Sequence, residues 1–511
     1  MSAADASKPP VSGHTRALSD TVYASLGLYA EYLFGLVASI LAARALGPAD
    51  LGIYGLVLWL VGTGVIIANA GITTGAIKFI AELRGAGQHA LIPPLVRHLR
   101  RLQRRMMVVV LAAMVAVYAL ARERVMPGID LALFGLLVGS LALRAPYMFN
   151  IALAKGGQDF RSTAIIALTG AGSNLLLVTA AFAAGAPLAA FVAVYAIASM
   201  VFYFVSDARA RKLLAALPAG AAELPAPLRA RVRHHLRVVA ATLILTSVGT
   251  GEFELLFLNL LGEPADAGVF KVANALALGA AILVPGVLAL QSLPIMANAY
   301  GHGADAAARR IGPISAWLLL LGAPLVGFVV VFADPLIALL YGAQYAQASP
   351  VLAGLIVARV LSTLGHGASA FLVSADRQST LAWLTVLLSV LRLGVAWWAI
   401  GAHGLQGAVA AAIGLSLLGT IALVWLALRE GRTSLPGWRM LRMALAAAAA
   451  VVAACTLPLQ ALAPPAAALA AGTLVFALLY PLALWLLRCF TAEDARFMRE
   501  LAGRLRGRSG G

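Results

Sequence analysis

Residues 47–54 read GPADLGIY and residues 262–270 read GEPADAGVF. The two phrases share Gly, Pro-Ala-Asp, one apolar residue, a second Gly, a β-branched residue and an aromatic, with one Glu inserted in the later copy. Gly-Pro ends a helix, Asp can cap the next one by accepting from its free N–H groups, and the second Gly lets helices approach closely. Each phrase therefore predicts a tight helical hairpin. The meaning of the repetition depends on how many chain crossings lie between the copies.

Composition puts those crossings in a bilayer. Of the 511 residues, 62% are hydrophobic and 12% charged, and mean hydropathy is +0.92; soluble domains run near roughly 45–50% apolar and 25% charged. The formal charge of +17 would suggest nucleic acid in a soluble protein. Here it is read by position relative to the membrane, and no nucleic-acid partner is expected. The two cysteines, Cys455 and Cys489, lie near opposite ends of consecutive spans, so no disulfide is expected. Residues 1–17 are small, polar and weakly basic, without an apolar stretch of signal-peptide length, and read as a cytoplasmic N-terminal segment.

At roughly 20 apolar residues per helix, the chain divides into about 14 spans. They fall approximately at 20–44, 51–71, 106–122, 131–153, 162–184, 187–206, 238–261, 267–293, 312–333, 348–374, 379–400, 404–428, 440–460 and 465–488. With the N-terminus cytoplasmic, about 31 of the 38 Lys and Arg fall on the inner side, and about 3 (Arg44, Arg122, Arg124) on the outer. The expected location is a bacterial cytoplasmic (inner) membrane with both ends cytoplasmic. Two inner loops, 91–105 and 208–237, mix Leu, Ala and Val with Arg and His at near-helical spacing. They read as short helices on the inner leaflet whose cations face anionic lipid headgroups.

In this frame GPADLGIY is the outer turn between spans 1 and 2, and GEPADAGVF the outer turn between spans 7 and 8. Six spans separate them, an even number, so the halves share one orientation: a parallel repeat about an axis along the membrane normal. The expected architecture is an all-α membrane protein with an N-lobe at 18–206 (spans 1–6) and a basic linker at 207–237. A C-lobe at 238–428 (spans 7–12), two further spans in 429–488 and a basic tail at 489–511 complete it.

AARALGPADLGIYGLV at 42–57, ANAGITTGAIKFIAE at 68–82 and LYGAQYAQASPVLAGLI at 340–356 resemble the polysaccharide transporter family. That family includes the Wzx-type O-antigen flippases and belongs to the multidrug/oligosaccharidyl-lipid/polysaccharide (MOP) exporter superfamily. The resemblance covers most of 18–430, and the last two spans match only in number. It implies two six-helix lobes around a central cavity, two extra C-terminal helices, and alternating access. It also implies a lipid-linked oligosaccharide as cargo, moved from the inner to the outer leaflet for O-antigen, lipopolysaccharide or exopolysaccharide synthesis.

Charges inside the bilayer cost on the order of 2.5–3.5 kcal/mol each on insertion scales and normally face a cavity or a partner. Glu31, Arg144 and Arg359 lie near the midplane, Arg392 at mid-depth to the outer half, Glu252 and Glu254 in the outer third, and Lys271 near the outer end of span 8. Arg144, Arg359, Arg392 and Lys271 supply a cationic lining suited to a diphosphate, and His366, two turns beyond Arg359, extends it inward. The competing reading has these arginines in structural bridges to Glu31, Glu252 and Glu254, which are also the candidates for ion coupling. Pro146, Pro285-Gly286, Pro324 and Pro481 mark bends within spans.

The leading expectation is a flippase for a polyprenyl-diphosphate-linked oligosaccharide, without covalent chemistry and without a cofactor. Coupling to a Na+ or H+ gradient is left open. A multidrug extruder of the same superfamily is the alternative, although four interior cations against three carboxylates favour an anionic cargo. A polysaccharide polymerase or ligase fits less well, because the outer loops are short. Membrane lipids, and glycosyltransferases and a polymerase of the same pathway, are the expected partners.

Overall fold

The computed structural model describes residues 13–218, 223–250, 253–457 and 465–490. Among them are sixteen α-helices and no strand. A first compact unit, ending at Gly268, contains α1 (Gly13–Ala68), α2 (Ile72–Gly85), α3 (Ile92–Val125), α4 (Leu131–Gly156), α5 (Phe160–Ala183), α6 (Leu188–Ala215), α7 (Ala226–Thr250) and α8 (Phe253–Leu261). The second unit, from Val269, holds most of α9 (Pro264–Leu283), then α10 (Pro285–Tyr300), α11 (Ala304–Leu340), α12 (Ala348–Leu364), α13 (His366–Ser374), α14 (Gln378–Gly431), α15 (Gly437–Thr456) and α16 (Pro465–Leu486). Cys455 and Cys489 are both free thiols.

Helices α1 and α14 contain 56 and 54 residues. Straight, each would be about 80 Å long, more than twice a bilayer core of about 30 Å. Each is instead interrupted at one glycine, Gly47 (φ 72°, ψ 174°) in α1 and Gly404 (φ 56°, ψ −133°) in α14. These are the expected outer turns between spans 1 and 2 and between spans 11 and 12. Eleven helices among the described residues are long and apolar enough to cross a membrane. Because two of the eleven are the doubled helices, they account for thirteen of the expected crossings. The remaining one, span 7, passes through residues 251–252, outside the described residues.

The repeat is written in the backbone as well as in the Pro-Ala-Asp turns. Left-handed residues recur in pairs at corresponding turns: Gly87 and Gly303, Gly128 and Gly342, Gln158 and Asp376, Gly185 and Gly404. Each pair is separated by roughly 215 residues, the interval between the two Pro-Ala-Asp turns. Gln158 (φ 55°) and Asp376 (φ 57°) are not glycines, so no glycine pattern could reveal that pair.

Spans 2 and 8 are each broken at the same place in the repeat. Span 2 stops at Ala68 and resumes as α2 after Gly71, which is left-handed (φ 73°); span 8 stops at Leu283 and resumes at Pro285 as α10. A Cβ on Gly71 would also lie 2.7 Å from the Leu236 carbonyl oxygen of α7, so conformation and space both require glycine there. In span 8 proline performs the break by removing a backbone donor.

The Pro-Ala-Asp turns differ from expectation in how their parts are used. Pro48 and Pro264 open helical segments, as proline does at a first helical position, so Asp50 and Asp266 fall inside the first turn rather than at the cap. Neither carboxylate accepts a hydrogen bond among the described residues; each complements the positive end of the helix dipole. True caps are Asp130, accepting from Leu133 N–H at 2.8 Å, and Asp159, accepting from Ser162 N–H at 3.0 Å. The second glycine of each turn packs against the other turn. A Cβ on Gly52 would lie 1.8 Å from the Pro264 carbonyl oxygen, and one on Gly268 would lie 1.9 Å from the Pro48 carbonyl oxygen. The two copies of the phrase thus fit each other reciprocally, each through its glycine.

The basic loops correct a second expectation. Residues 92–105 are not a separate helix on the leaflet; they are the first part of α3, which runs on without interruption as far as a kink at Ala121. Residues 207–215 end α6 and 226–237 begin α7. Their apolar faces are already occupied: Leu95, Val96 and Leu99 of α3, Val232 and Leu236 of α7, Phe79 and Leu83 of α2, and Phe149 of α4 form one buried cluster. Leu91, Leu102, Leu213, Leu214, Leu217 and Leu228 pack against the same cluster, so among the described residues these apolar side chains face protein.

Candidate functional site

In the first unit the site is built around Arg144 on α4. Its Nε donates to Ser199 Oγ on α6 at 2.9 Å, and its guanidinium lies 4.2 Å from the Tyr195 ring centroid and 5.2 Å from that of Phe202. Ser199, Tyr195 and Phe202 share one face of α6 at spacings of three and four residues, so a single helix face forms the seat. Among the described residues Arg144 makes no ion pair. Glu31, on an exposed face of α1, lies within electrostatic range of Arg144 without bridging it. The expected alternative, a bridge between these two, is not formed.

Beside Arg144, a polar knot ties the break in span 2 to α4. Asn69 Nδ2 donates to the Val65 and Ala145 carbonyls, both at 3.1 Å. Gln103 Nε2 on α3 donates to Asn69 Oδ1 at 2.6 Å and to Ala145 O at 2.8 Å. Both side chains are buried. The knot sits next to Pro146, where the α4 backbone is already weakened by a missing donor. The signal for it was two neutral amides, Asn69 and Gln103, placed among apolar or basic neighbours and therefore easily passed over.

In the second unit Arg359 on α12 donates from Nη2 to Asn274 Oδ1 on α9 at 2.7 Å. Asn274 is buried, and Lys271 lies three residues before it, on the same side of α9. Both arginines thus find a neutral oxygen on another helix. Measured from the matching left-handed residues Gln158 and Asp376, Arg359 lies about one helical turn further from the turn than Arg144 does. Arg392 sits half-buried in α14 and Glu254 is 2% exposed in α8. Glu252 lies outside the described residues.

His366 lies beyond a short break in span 10. Helix α12 ends at Leu364, and His366 opens α13 with its Nδ1 donating to the Thr363 carbonyl at 2.9 Å. The same break draws Thr420 Oγ1 onto Leu361 O at 2.8 Å and Ser315 Oγ onto Leu364 O at 3.4 Å. Against it lies a pocket of about 300 Å³ lined by Ser315, Leu364, Thr420, Val424, Trp425 and Met440, among others. With its hydroxyls turned to carbonyls, that lining suits hydrocarbon rather than a charged group.

The ion pairs among the described residues lie outside the expected apolar spans or at their ends. Arg231 holds Glu82 through both oxygens, at 2.5 and 2.8 Å, and keeps that carboxyl below the usual carboxylate range. No cluster of His, Cys, Asp and Glu able to hold a metal occurs among the described residues.

The fold defined by these helices is that of the MOP exporters. A solved structure titled "Lipid II flippase MurJ, inward closed conformation" is similar over 94% of this chain and 100% of its own, with TM-score 0.71 and 11% identity. An inward-facing multidrug resistance MATE family transporter of the MOP superfamily is similar over 80% of this chain and 98% of its own, with TM-score 0.64 and 18% identity. A MOP superfamily transporter from Pyrococcus furiosus, described as having a binding pocket of reversed polarity, gives TM-score 0.54 and 16% identity over 82% of this chain and 96% of its own. No protein-family model and no curated protein sequence matches the chain.

Proposed function

We propose that this chain is a transporter, not an enzyme, which moves a polyprenyl-diphosphate-linked oligosaccharide from the inner to the outer leaflet of a bacterial inner membrane. The observation carrying this reading is the seat of Arg144. An interior cation that served only to join helices would be expected to meet a carboxylate, because a lone charge at that depth is costly. Arg144 is instead oriented by a hydroxyl and two aromatic faces, which fix its position without neutralising it. A fixed, uncompensated guanidinium suits a transient diphosphate, which it can grip through paired N–H donors and then release. In the second unit Arg359 is likewise held on a neutral oxygen, that of Asn274, and the apolar pocket at the α12–α13 break offers room for part of a lipid tail. The lipid-flippase name of one structural neighbour agrees with a lipid-linked cargo. Glycosyltransferases and a polymerase would supply and consume it, and any Na+ or H+ coupling would fall to Glu31 or Glu254.

Replacing Arg144 by Gln should lower export of the glycolipid by at least about tenfold, the order expected for losing a charge-assisted hydrogen bond. Abundance in the membrane, measured alongside, should stay near normal. Arg144→Lys should retain part of the activity, since a point charge attracts phosphate but loses the fork. Normal export by the Gln variant would refute the cationic reading. The buried carboxylate Glu254 and the MATE neighbour favour a second reading, extrusion of cationic drugs. Efflux of a cationic dye that depends on Glu254 and not on Arg144 would select it.

A further inference from the structure

Helix α3 carries Arg97, Arg101 and Arg105, and α7 carries Arg229, Arg233 and Arg237, each set at intervals of four residues. On a helix this spacing lines like charges in a row, which weakens the helix unless an opposite charge answers it. The rows lie at one end of the first unit, since Leu95 just before the first set, Leu99 within it, and Val232 and Leu236 within the second belong to the same buried cluster. His98 lies within electrostatic range of Arg101 and Arg105 from one row and of Arg229 and Arg233 from the other, so the rows run side by side.

Among the described residues, four of these arginines meet no carboxylate. The carboxylates described at this end of the unit are Glu82, Asp159, Asp207 and Glu223. Glu82 is taken by Arg231, Asp207 by Arg211 and Glu223 by Arg229, while Asp159 caps α5. Arg101, Arg105, Arg233 and Arg237 are exposed and enter no ion pair among the described residues. The positive-inside bias puts this end at the cytoplasmic leaflet.

We propose that the two arginine rows form a docking surface for the phosphodiester headgroups of anionic lipids in the inner leaflet. The row geometry suits a two-dimensional array of phosphates, and arginine suits phosphate oxygens through paired donors. Because the apolar faces of both helices are buried within the unit, the attraction depends on headgroup charge and not on insertion of a helix into the acyl region. The proposal is independent of what the chain transports.

The test is thermal unfolding of the full detergent-solubilised chain with increasing phosphatidylglycerol, phosphatidylcholine or inorganic phosphate. Phosphatidylglycerol should raise the unfolding temperature well above the effect of phosphatidylcholine. In Arg101→Gln/Arg233→Gln the lipid concentration giving half the effect should rise by at least about tenfold, each row losing a near-surface cation. The charge-matched control Arg309→Gln/Arg310→Gln, altered in α11 of the other unit, should stay within about twofold of wild type, and Arg101→Lys/Arg233→Lys within about threefold. An unchanged response in the Gln double variant, or an equal loss in the control, would overturn the proposal. So would inorganic phosphate alone reproducing the full effect, because the site would then serve soluble phosphate. Should the double variant not be purified, single Arg101→Gln and Arg233→Gln variants must each raise the half-effect concentration about threefold, and no change in either overturns the proposal.

Discussion

Helices α3 and α11 occupy the same place in the two repeats, yet α11 has a second set of neighbours that α3 lacks among the described residues. Helix α3 has prolines only in its first turn, Pro93 and Pro94; its first half is clad with arginines and packs into a core shared with α2, α4, α6 and α7. Helix α11 has prolines at 313, 324 and 335; its first turns pack into a core with α10, α13 and α14, and from Ala316 on it also packs against α15 and α16, the two spans that no part of the repeat duplicates. Its seam is made by small residues: a Cβ on Gly472 would lie 2.4 Å from the Phe332 ring, and one on Gly327 would lie 2.8 Å from Val451. Pro324 deprives the Leu320 carbonyl of its helical donor, and Tyr480 of α16 supplies one instead, Oη to O at 2.9 Å. Both helices leave helical geometry near their far ends, at Ala121 in α3 and at Phe332 in α11, and α11 is in addition completed at Pro324 by a side chain from the added hairpin. A repeat thus conserves the path of the chain while leaving each copy free to find its own partners.

The largest effect should come from breaking what the copies share. Gly52→Val and Gly268→Val each drive a side chain into a proline carbonyl of the opposite turn, and each should cost about 3 kcal/mol or more, seen as lost monodisperse protein or a lowered unfolding temperature. The reciprocity requires similar losses. If one variant is tolerated and the other is not, the turns are not equivalent.

A smaller effect separates α11 from α3. Tyr480→Phe leaves the buried Leu320 carbonyl without a donor and should cost about 1–3 kcal/mol. Pro324→Ala restores the backbone N–H, so in that background Tyr480→Phe should cost markedly less, and a double-mutant cycle measures the difference. Additive losses would mean that Tyr480 contributes by packing alone.

The smallest effect belongs to the rim of the first unit. Glu82, held below the usual carboxylate range by Arg231, contributes stability at pH above its unfolded value and loses that contribution as pH falls through its folded value. The pair is exposed, so Arg231→Gln should shift unfolding barely at neutral pH and less still at high salt. A large shift would show that α7 depends on this bridge to stay against α2.

Much of this was legible in the chain. Apolar length set the crossings, and Gly, Pro and Asp marked the turns between them, because both signals arise from the chain's own stereochemistry and hydropathy. The repeated Pro-Ala-Asp phrase carried the repeat for the same reason. Other features had no local signature. That Gly52 faces Pro264 and Gly268 faces Pro48, that Asn69 and Gln103 meet over Ala145, that Tyr480 serves Leu320, and that Arg144 rests on Ser199 and Tyr195 instead of Glu31 all join residues distant in the chain. The rows of arginines at 97–105 and 229–237 were visible, but their apolar faces could not be assigned to lipid or protein without knowing which helices pack together. Backbone preference and hydropathy act over a few residues and so are determined by sequence alone. Close approach and the satisfaction of buried polar groups are decided by which elements become neighbours, and only the tertiary structure determines that.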